Sequence, residues 1–214
     1  MLLTVAGSSC SGKSTAVWAS AEIEGLVVHD FDEIGVPDGA DTRWRQRSME
    51  VWIQRVLRYQ ARGIDVLLAG QSPLGEVLAS PSATELDGIA ACLMDVDEQV
   101  RWHRIEERDP GKWNRDAKQS FVGWARWHRE HARDPRHRPE VITAAGYERM
   151  RWARWSDWTS TDHRWAVRVI DTTDRAVEQS ATEIRQWIAD ARSELAAGQL
   201  ALAGRWVTGS VTHE

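Results

Sequence analysis

The chain of 214 residues carries 27 Lys and Arg against 32 Asp and Glu, a formal net charge of -5, so composition offers no general attraction for nucleic acid or an anionic membrane. That length suits one α/β domain with an appended lid, and no apolar run approaches the roughly 18 residues of a spanning helix. Two cysteines, Cys10 and Cys92, form neither a metal-ligand spacing nor a disulfide framework.

Leu2 to Ala6 is a short apolar run that reads as a buried strand. It leads into Gly7-Ser8-Ser9-Cys10-Ser11-Gly12-Lys13-Ser14-Thr15, which satisfies G-x-x-x-x-G-K-[ST] at Gly7, Gly12, Lys13 and Ser14. The following residues, Ala16, Val17, Ala19, Ala21 and Ile23, have helical character. Strand, loop and helix are the context the motif needs: glycines let backbone N–H groups turn inward around a phosphate, and the helix start faces the same anion. Lys13 is expected to reach the β- and γ-phosphates and Ser14 to ligate magnesium. Cys10 sits where a helix N-terminus can lower a thiol pKa, although a small residue filling the loop is the plainer reading. Because the first strand runs straight into this loop, no secretory leader is expected and the location is read as cytoplasmic.

Leu26 to Val28 is a second strand, ending in Asp30-Phe31-Asp32-Glu33-Ile34 before the break at Pro37 to Gly39. Apolar positions at Trp44, Met49, Trp52, Ile53, Val56, Leu57 and Ala61 predict a helix over 42–62, stopped by Gly63. Ile64 to Ala69 is a third strand, ended by Gly70-Gln71-Ser72-Pro73, and Ile89 to Met94 a fourth. Asp97 caps a helix reaching Arg108, before the break at Asp109-Pro110-Gly111. Residues 112–160 predict two helices around Asp134 to Pro139, rich in Trp, Arg and His. Ala166 to Ile170 is a last strand, followed by Asp171-Thr172-Thr173 and a helix from about Arg175 to Ala197. The expected organisation is a single domain over 1–197, with a lid over about 109–160 and a flexible tail over 198–214. Alternating strands and helices call for a parallel sheet of about five strands with helices on both faces, and ligands then gather at the carboxyl ends of the strands.

These features resemble the small P-loop kinases of the shikimate kinase, gluconate kinase and chloramphenicol phosphotransferase type. The resemblance runs to about Arg108 and returns over Val169 to Ile188. Besides the loop it is carried by Asp30-Phe31-Asp32-x-Ile34, by LMDVDEQVRWHRIEER and by VIDTT. It implies a three-layer α/β kinase fold with a helical lid, ATP and Mg2+ as cofactors, and a small hydroxyl compound, a metabolite or an antibiotic, as acceptor.

Phosphoryl transfer needs positioning, charge neutralisation and a group to receive the acceptor's proton. Asp32 is assigned as base or acceptor-orienting residue and Asp30 to the magnesium shell; the two roles are exchangeable at this stage, and both acids could instead simply cap the next turn. Gly70 and Gln71 are expected to approach the acceptor or γ-phosphate, and Asp95 to serve its strand end. By resemblance Arg104 and Arg108 are lid or adenine-side arginines, while Arg101 is read as part of a solvated face. Arg43 and Arg45 open the second helix where acceptor-binding arginines are expected. Asp171 and Thr172 fall where the resembling kinases hold adenine, and no guanine-reading motif is present. Trp124, Trp127, Arg133, Arg136 and Arg138 are proposed to line a substrate-covering lid, whereas His128 and His131 read as plain surface or core histidines and the series Trp152, Trp155, Trp158 as packing residues. Two other functions share the motif: a polynucleotide 5′-hydroxyl kinase, disfavoured by the acidic charge, and a nucleotide-binding regulatory module. No membrane partner is expected, nucleic acid is disfavoured, and a homodimer is open.

Overall fold

A computed structural model describes residues 1–204 and 206–208. Five strands, β1 (Leu2–Ala6), β2 (Leu26–Asp30), β3 (Asp65–Gly70), β4 (Ile89–Asp95) and β5 (Val167–Asp171), form one sheet in the order β2-β3-β1-β4-β5. Every pairing is parallel. Helices α1 (Lys13–Trp18), α2 (Thr42–Gln60), α3 (Leu74–Ala79), α4 (Glu98–Arg108), α5 (Arg115–Arg133) and α6 (Glu140–Thr143) lie in the connections, and α7 (Val177–Ala196) follows the last strand. No described helix is long and apolar enough to cross a membrane.

The three layers follow from the two-residue period of the central strands. Leu3 and Val5 of β1 join Leu67, Cys92 and Met94 on one face, against Ala16 and Val17 of α1 and Ile184 and Ile188 of α7. Leu2, Val66, Leu68 and Ala91 face the other way, against Met49, Trp52, Ile53 and Val56 of α2. Both faces are covered, which is why β3 and β4 read as continuous apolar runs.

The second face departs from expectation. Residues 112–160 hold one long helix, α5, and the four-residue α6, not two full helices. The chain from Ala144 to Trp165 is mostly irregular and covers the sheet with tryptophans. Trp127 stacks on His131 at 4.7 Å, His131 meets Trp155 edge-on at 5.7 Å, and Trp155 and Trp158 both lean on Trp165. Buried indoles need an acceptor for their N–H. Trp155 donates to the Gly75 carbonyl at 2.8 Å, Trp127 to Arg138 at 3.1 Å, and Trp165 to Ala132 at 3.1 Å.

This packing corrects the lid assignment for its named residues. Trp124, Trp127, His128 and His131 recur at helical spacing, so one face of α5 carries them inward. Trp127 is buried and Trp124 stacks on it at 4.7 Å. Arg133 pairs with Glu130, Arg138 with Glu140, and Arg136 donates to the carbonyls of Asp157 and Trp158. The reading of 198–214 as a flexible tail is corrected as far as Thr208. Leu202 and Trp206 are buried, Ile89 N–H donates to the Leu202 carbonyl at 3.0 Å, and Trp158 packs against Trp206. The rest of the tail, residue 205 and residues 209–214, lies outside the described residues.

Two measurements check this core. Leu202→Ala should lower unfolding free energy by about 2–5 kcal/mol, the cost of a core truncation; a free tail residue would leave the urea midpoint unmoved. Burial holds His128 and His131 neutral, pushing their pKa values down to about 3 and about 4. An unfolded chain protonates such rings below about pH 6.5, so their contribution is complete above that pH and is lost as the pH falls toward the folded values. Between pH 6.5 and 5 the loss should reach about 2 kcal/mol per histidine, read from urea midpoints, and should shrink in His128→Gln.

Candidate active site at the carboxyl edge of the sheet

The phosphate loop lies at the centre of this edge because β1 is the central strand. Gly7 is demanded by close approach: a Cβ there would fall 2.5 Å from the Met94 carbonyl oxygen and 2.6 Å from Ser11 Oγ. Ser8 is buried and donates its hydroxyl to the Phe121 carbonyl at 2.8 Å, tying the loop to α5. Ser11 is buried in the loop's floor, where Thr172 Oγ1 donates to its carbonyl at 3.0 Å. Cys10 has a left-handed φ of 62°, and burial pushes its thiol pKa up, with Arg108 and Arg101 opposing. A lowered thiol pKa is therefore not what this loop produces.

Two clefts open on either side of the loop. One, of about 480 Å³, is bounded by Cys10, Gly12 and Thr15 of the loop, by Arg104 of α4, and by Thr172 and Arg175. The other, of about 650 Å³, is bounded by Ser9, Asp30, Asp32, Trp44, Arg45 and Gln71. Lys13, Ser14 and Arg108 border both. Burial pushes the Lys13 ammonium's pKa down, while the charges of Asp30 and Asp32 hold it up.

The two acids differ in their partners. Asp30 caps the short turn that follows β2, accepting the Asp32 N–H at 3.0 Å on Oδ1, and its Oδ2 receives the Ser14 hydroxyl at 3.4 Å. The Asp32 carboxylate has no hydrogen-bond partner among the described residues. Its pKa is raised by burial and by Asp30, with Lys13 opposing. Asp30 is thus both a cap and a neighbour of Ser14, whereas Asp32 is the unengaged acid. Two oxygen donors, Ser14 Oγ and Asp30 Oδ2, suit a hard divalent cation bound mainly by phosphate and water.

The guanidinium groups sort sharply. Arg104 donates to Thr172 Oγ1 at 3.1 Å and to its carbonyl at 3.0 Å, fixing one wall of the first cleft. Arg108 pairs with Asp109 at 2.8 Å and remains half exposed between the clefts. Arg101, expected on a solvated face, is fully buried. It donates to the Ser9 carbonyl and to Asp95 Oδ1, both at 2.6 Å, and Arg129 holds the other Asp95 oxygen. The correction has a simple cause: the spacing that places Arg101, Arg104 and Arg108 on one face does not say whether that face meets solvent or the loop.

Arg45 lines the second cleft, but Arg43 lies outside it, exposed and paired with Glu148. Positions two apart on a helix point about 200° apart, so Arg43 and Arg45 lie on opposite faces of α2. Arg133 and Arg136 likewise border neither cleft. Asp171 is turned into its own loop, accepting from Thr173 N–H at 2.9 Å and Thr173 Oγ1 at 2.6 Å, and only Thr172 of the pair borders a cleft. Gly70 is required by Phe31, whose Cβ would sit 2.9 Å from an added Cβ; its small size serves packing.

Sequence reasoning missed Glu76, Asp41, Trp44 and Arg175. Asp41 had a legible signal as the N-cap of α2, accepting the Trp44 N–H at 2.7 Å. Glu76 had none, because α3 is short and apolar around it.

No protein-family model matches this chain and no curated protein matches it in sequence. Solved structures do match. A sugar kinase from Janibacter sp. HTCC2649, unliganded, is 16% identical with a TM-score of 0.52, over 90% of this chain and 96% of its own. A gluconokinase from Sinorhizobium meliloti 1021 is 17% identical with a TM-score of 0.51, over 92% and 95%. A shikimate kinase from Acinetobacter baumannii, in complex with shikimate, is 17% identical with a TM-score of 0.50, over 88% and 93%. The fold is that of the small P-loop kinases. Within this P-loop kinase fold the Arg101 anchor gives a direct test. Arg101→Met leaves Asp95 short of a partner in a buried place, so it should cost about 3–5 kcal/mol in denaturant unfolding. It should also weaken binding of a fluorescent ATP analogue, because the Ser9 carbonyl loses its donor.

Proposed function

We propose that this protein transfers the γ-phosphate of ATP to a hydroxyl group of a small acceptor. The observation that carries this reading is that two separate clefts meet at Lys13, Ser14 and Arg108. A nucleotide in the first cleft presents its terminal phosphate to those residues, and an acceptor in the second reaches the same point from the opposite side. A regulatory nucleotide switch needs only the first cleft. A polynucleotide acceptor would bring phosphates to a cleft bordered by Asp30, Asp32 and Asp41, which repel them.

In this mechanism loop N–H groups and Lys13 hold the β- and γ-phosphates, and Arg108 neutralises charge spreading over the phosphoryl group in flight. Arg104 and Thr172 form the wall against which the nucleoside lies. Ser14 and Asp30 would hold magnesium, which supplies charge neutralisation and alignment of the phosphates when bound. Asp32, unengaged and facing the acceptor cleft, accepts the acceptor's hydroxyl proton as the new O–P bond forms and ADP departs with the electrons of the broken one. Gln71 borders the acceptor cleft and orients its hydroxyls.

The reading is tested by ADP release with magnesium and ATP against a panel of hydroxyl compounds. Asp32→Asn should lower acceptor-dependent turnover by about 10²–10⁴-fold, the usual worth of general-base catalysis, while nucleotide affinity stays within about twofold. Lys13→Ala should lower both turnover and nucleotide affinity. Turnover that ignores every added hydroxyl compound would falsify the transferase reading.

A further inference from the structure

The acceptor cleft is bordered by three carboxylates, Asp30, Asp32 and Asp41, and by three cations, Lys13, Arg45 and Arg108. That apparent balance disappears once each cation's partner is counted. Lys13 and Arg108 also border the nucleotide cleft, so on the proposed function they face phosphates. Arg45 is the cation left for the acceptor, and it is already neutralised. Its Nε donates to one oxygen of Glu76 at 2.9 Å and its NH2 to the other at 2.7 Å, a bidentate pair.

Glu76 has no exposed surface and also accepts from Gln46 Nε2 at 3.0 Å. The guanidinium further lies over the Trp124 ring, 4.7 Å from its centroid. A pair gripped at both ends in this way cannot swing out to meet an anion without stranding a buried carboxylate, which is a costly step.

The carboxylates are not compensated in the same way. Asp30 is committed to Ser14 and to its turn. Asp32 has no hydrogen-bond partner among the described residues, and Asp41 spends only Oδ1 on capping, through the Trp44 N–H. Trp44 and Phe31, in edge-to-face contact at 5.9 Å, line the same cleft as these two acids. Acid oxygens beside an aromatic ring are the surroundings that attract an ammonium group and repel a carboxylate.

We infer that the acceptor is a hydroxylated amine, whose ammonium group is held by Asp41 and Trp44 while one of its hydroxyls faces Asp32, and that the Arg45–Glu76 pair makes the cleft reject carboxylate acceptors. This rests on the kinase reading and specifies its substrate class. Arg45 and Glu76 act as specificity-determining residues, since Glu76 reaches the acceptor only through Arg45.

The experiment measures ADP release by the full chain with magnesium and ATP across three size-matched sets: amino sugars and aminocyclitols, neutral sugars and cyclitols, and sugar acids. Highest kcat/KM in the amine set is the expected result. Two variants separate charge from folding. Asp41→Asn keeps an N-cap of equal quality, so the unfolding midpoint holds, and KM for the amine acceptor should rise about tenfold or more, as loss of a charged hydrogen bond requires. Glu76→Gln frees the charge of Arg45 and should raise kcat/KM for sugar acids relative to amines by about tenfold. Highest turnover with neutral or carboxylate acceptors overturns this inference and leaves the kinase reading standing, as does a ranking unmoved by either variant. Turnover stimulated by none of the three sets overturns both.

Discussion

Arg101 is a fully buried guanidinium bonded to a carbonyl of the phosphate loop and to the acid that ends β4. Burying a charge is expensive unless it is paired, so this group, Asp95 and Arg129 stand or fall together. The consequence is geometric. A loop built to leave its N–H groups free for a ligand has few internal bonds of its own, and Arg101 supplies a tether from outside. Through it the loop, β4 and α4 are joined by direct bonds, and Arg104 and Arg108 border the first cleft from the same helix. Thr172 adds a second tether, donating to Ser11 from the end of β5 and receiving Arg104.

The far face of the sheet solves a different problem. With only α2, α3 and α5 to cover it, part of the sheet would stay wet, and irregular chain normally cannot fill such a gap because its backbone needs hydrogen-bond partners. Tryptophan resolves this by bringing large apolar area with one N–H that a loop carbonyl can satisfy. Arg154 does the same for exposed carbonyls, donating to Leu78, Ser80 and Pro81. The abundance of tryptophan, 13 in the chain, thus serves mainly the scaffold, although aromatic and basic interleaving in the sequence suggests a ligand surface. That scaffold touches the second cleft through Arg45, which borders the cleft and lies over the Trp124 ring.

Function and scaffold meet in the Arg45–Glu76 pair. Its carboxylate lies in α3, packed under the aromatic layer, and its guanidinium opens into the cleft. The charge that Arg45 brings to the second cleft is therefore balanced by a residue that does not border that cleft. Charge counted along the sequence cannot reveal this, since whether an arginine is free or spent depends on a partner 31 residues away.

The Gly7–Thr15 motif was legible because it is a contiguous run of fixed spelling, and the structure gives Gly7 a packing reason of its own, since a Cβ there would meet the Met94 carbonyl. The central strands were legible because double burial leaves an uninterrupted apolar record, and Asp97 because a cap acts within three residues. Asp30 and Asp32 were visible as a pair, yet their division into a turn-capping acid beside Ser14 and an unengaged acid needed coordinates, as did the departures at Arg43, Arg101, Arg133, Arg136 and Asp171. Each of those departures concerns which way a helical or loop side chain faces, a choice made by packing against distant chain. The sequence by itself determined the parallel α/β layout and the place of the Gly7–Thr15 loop after its first strand, through local spacing and hydrophobic period. Tertiary structure alone decided which charges are buried, which are paired and which remain for a ligand, because those depend on contacts between residues far apart in the chain.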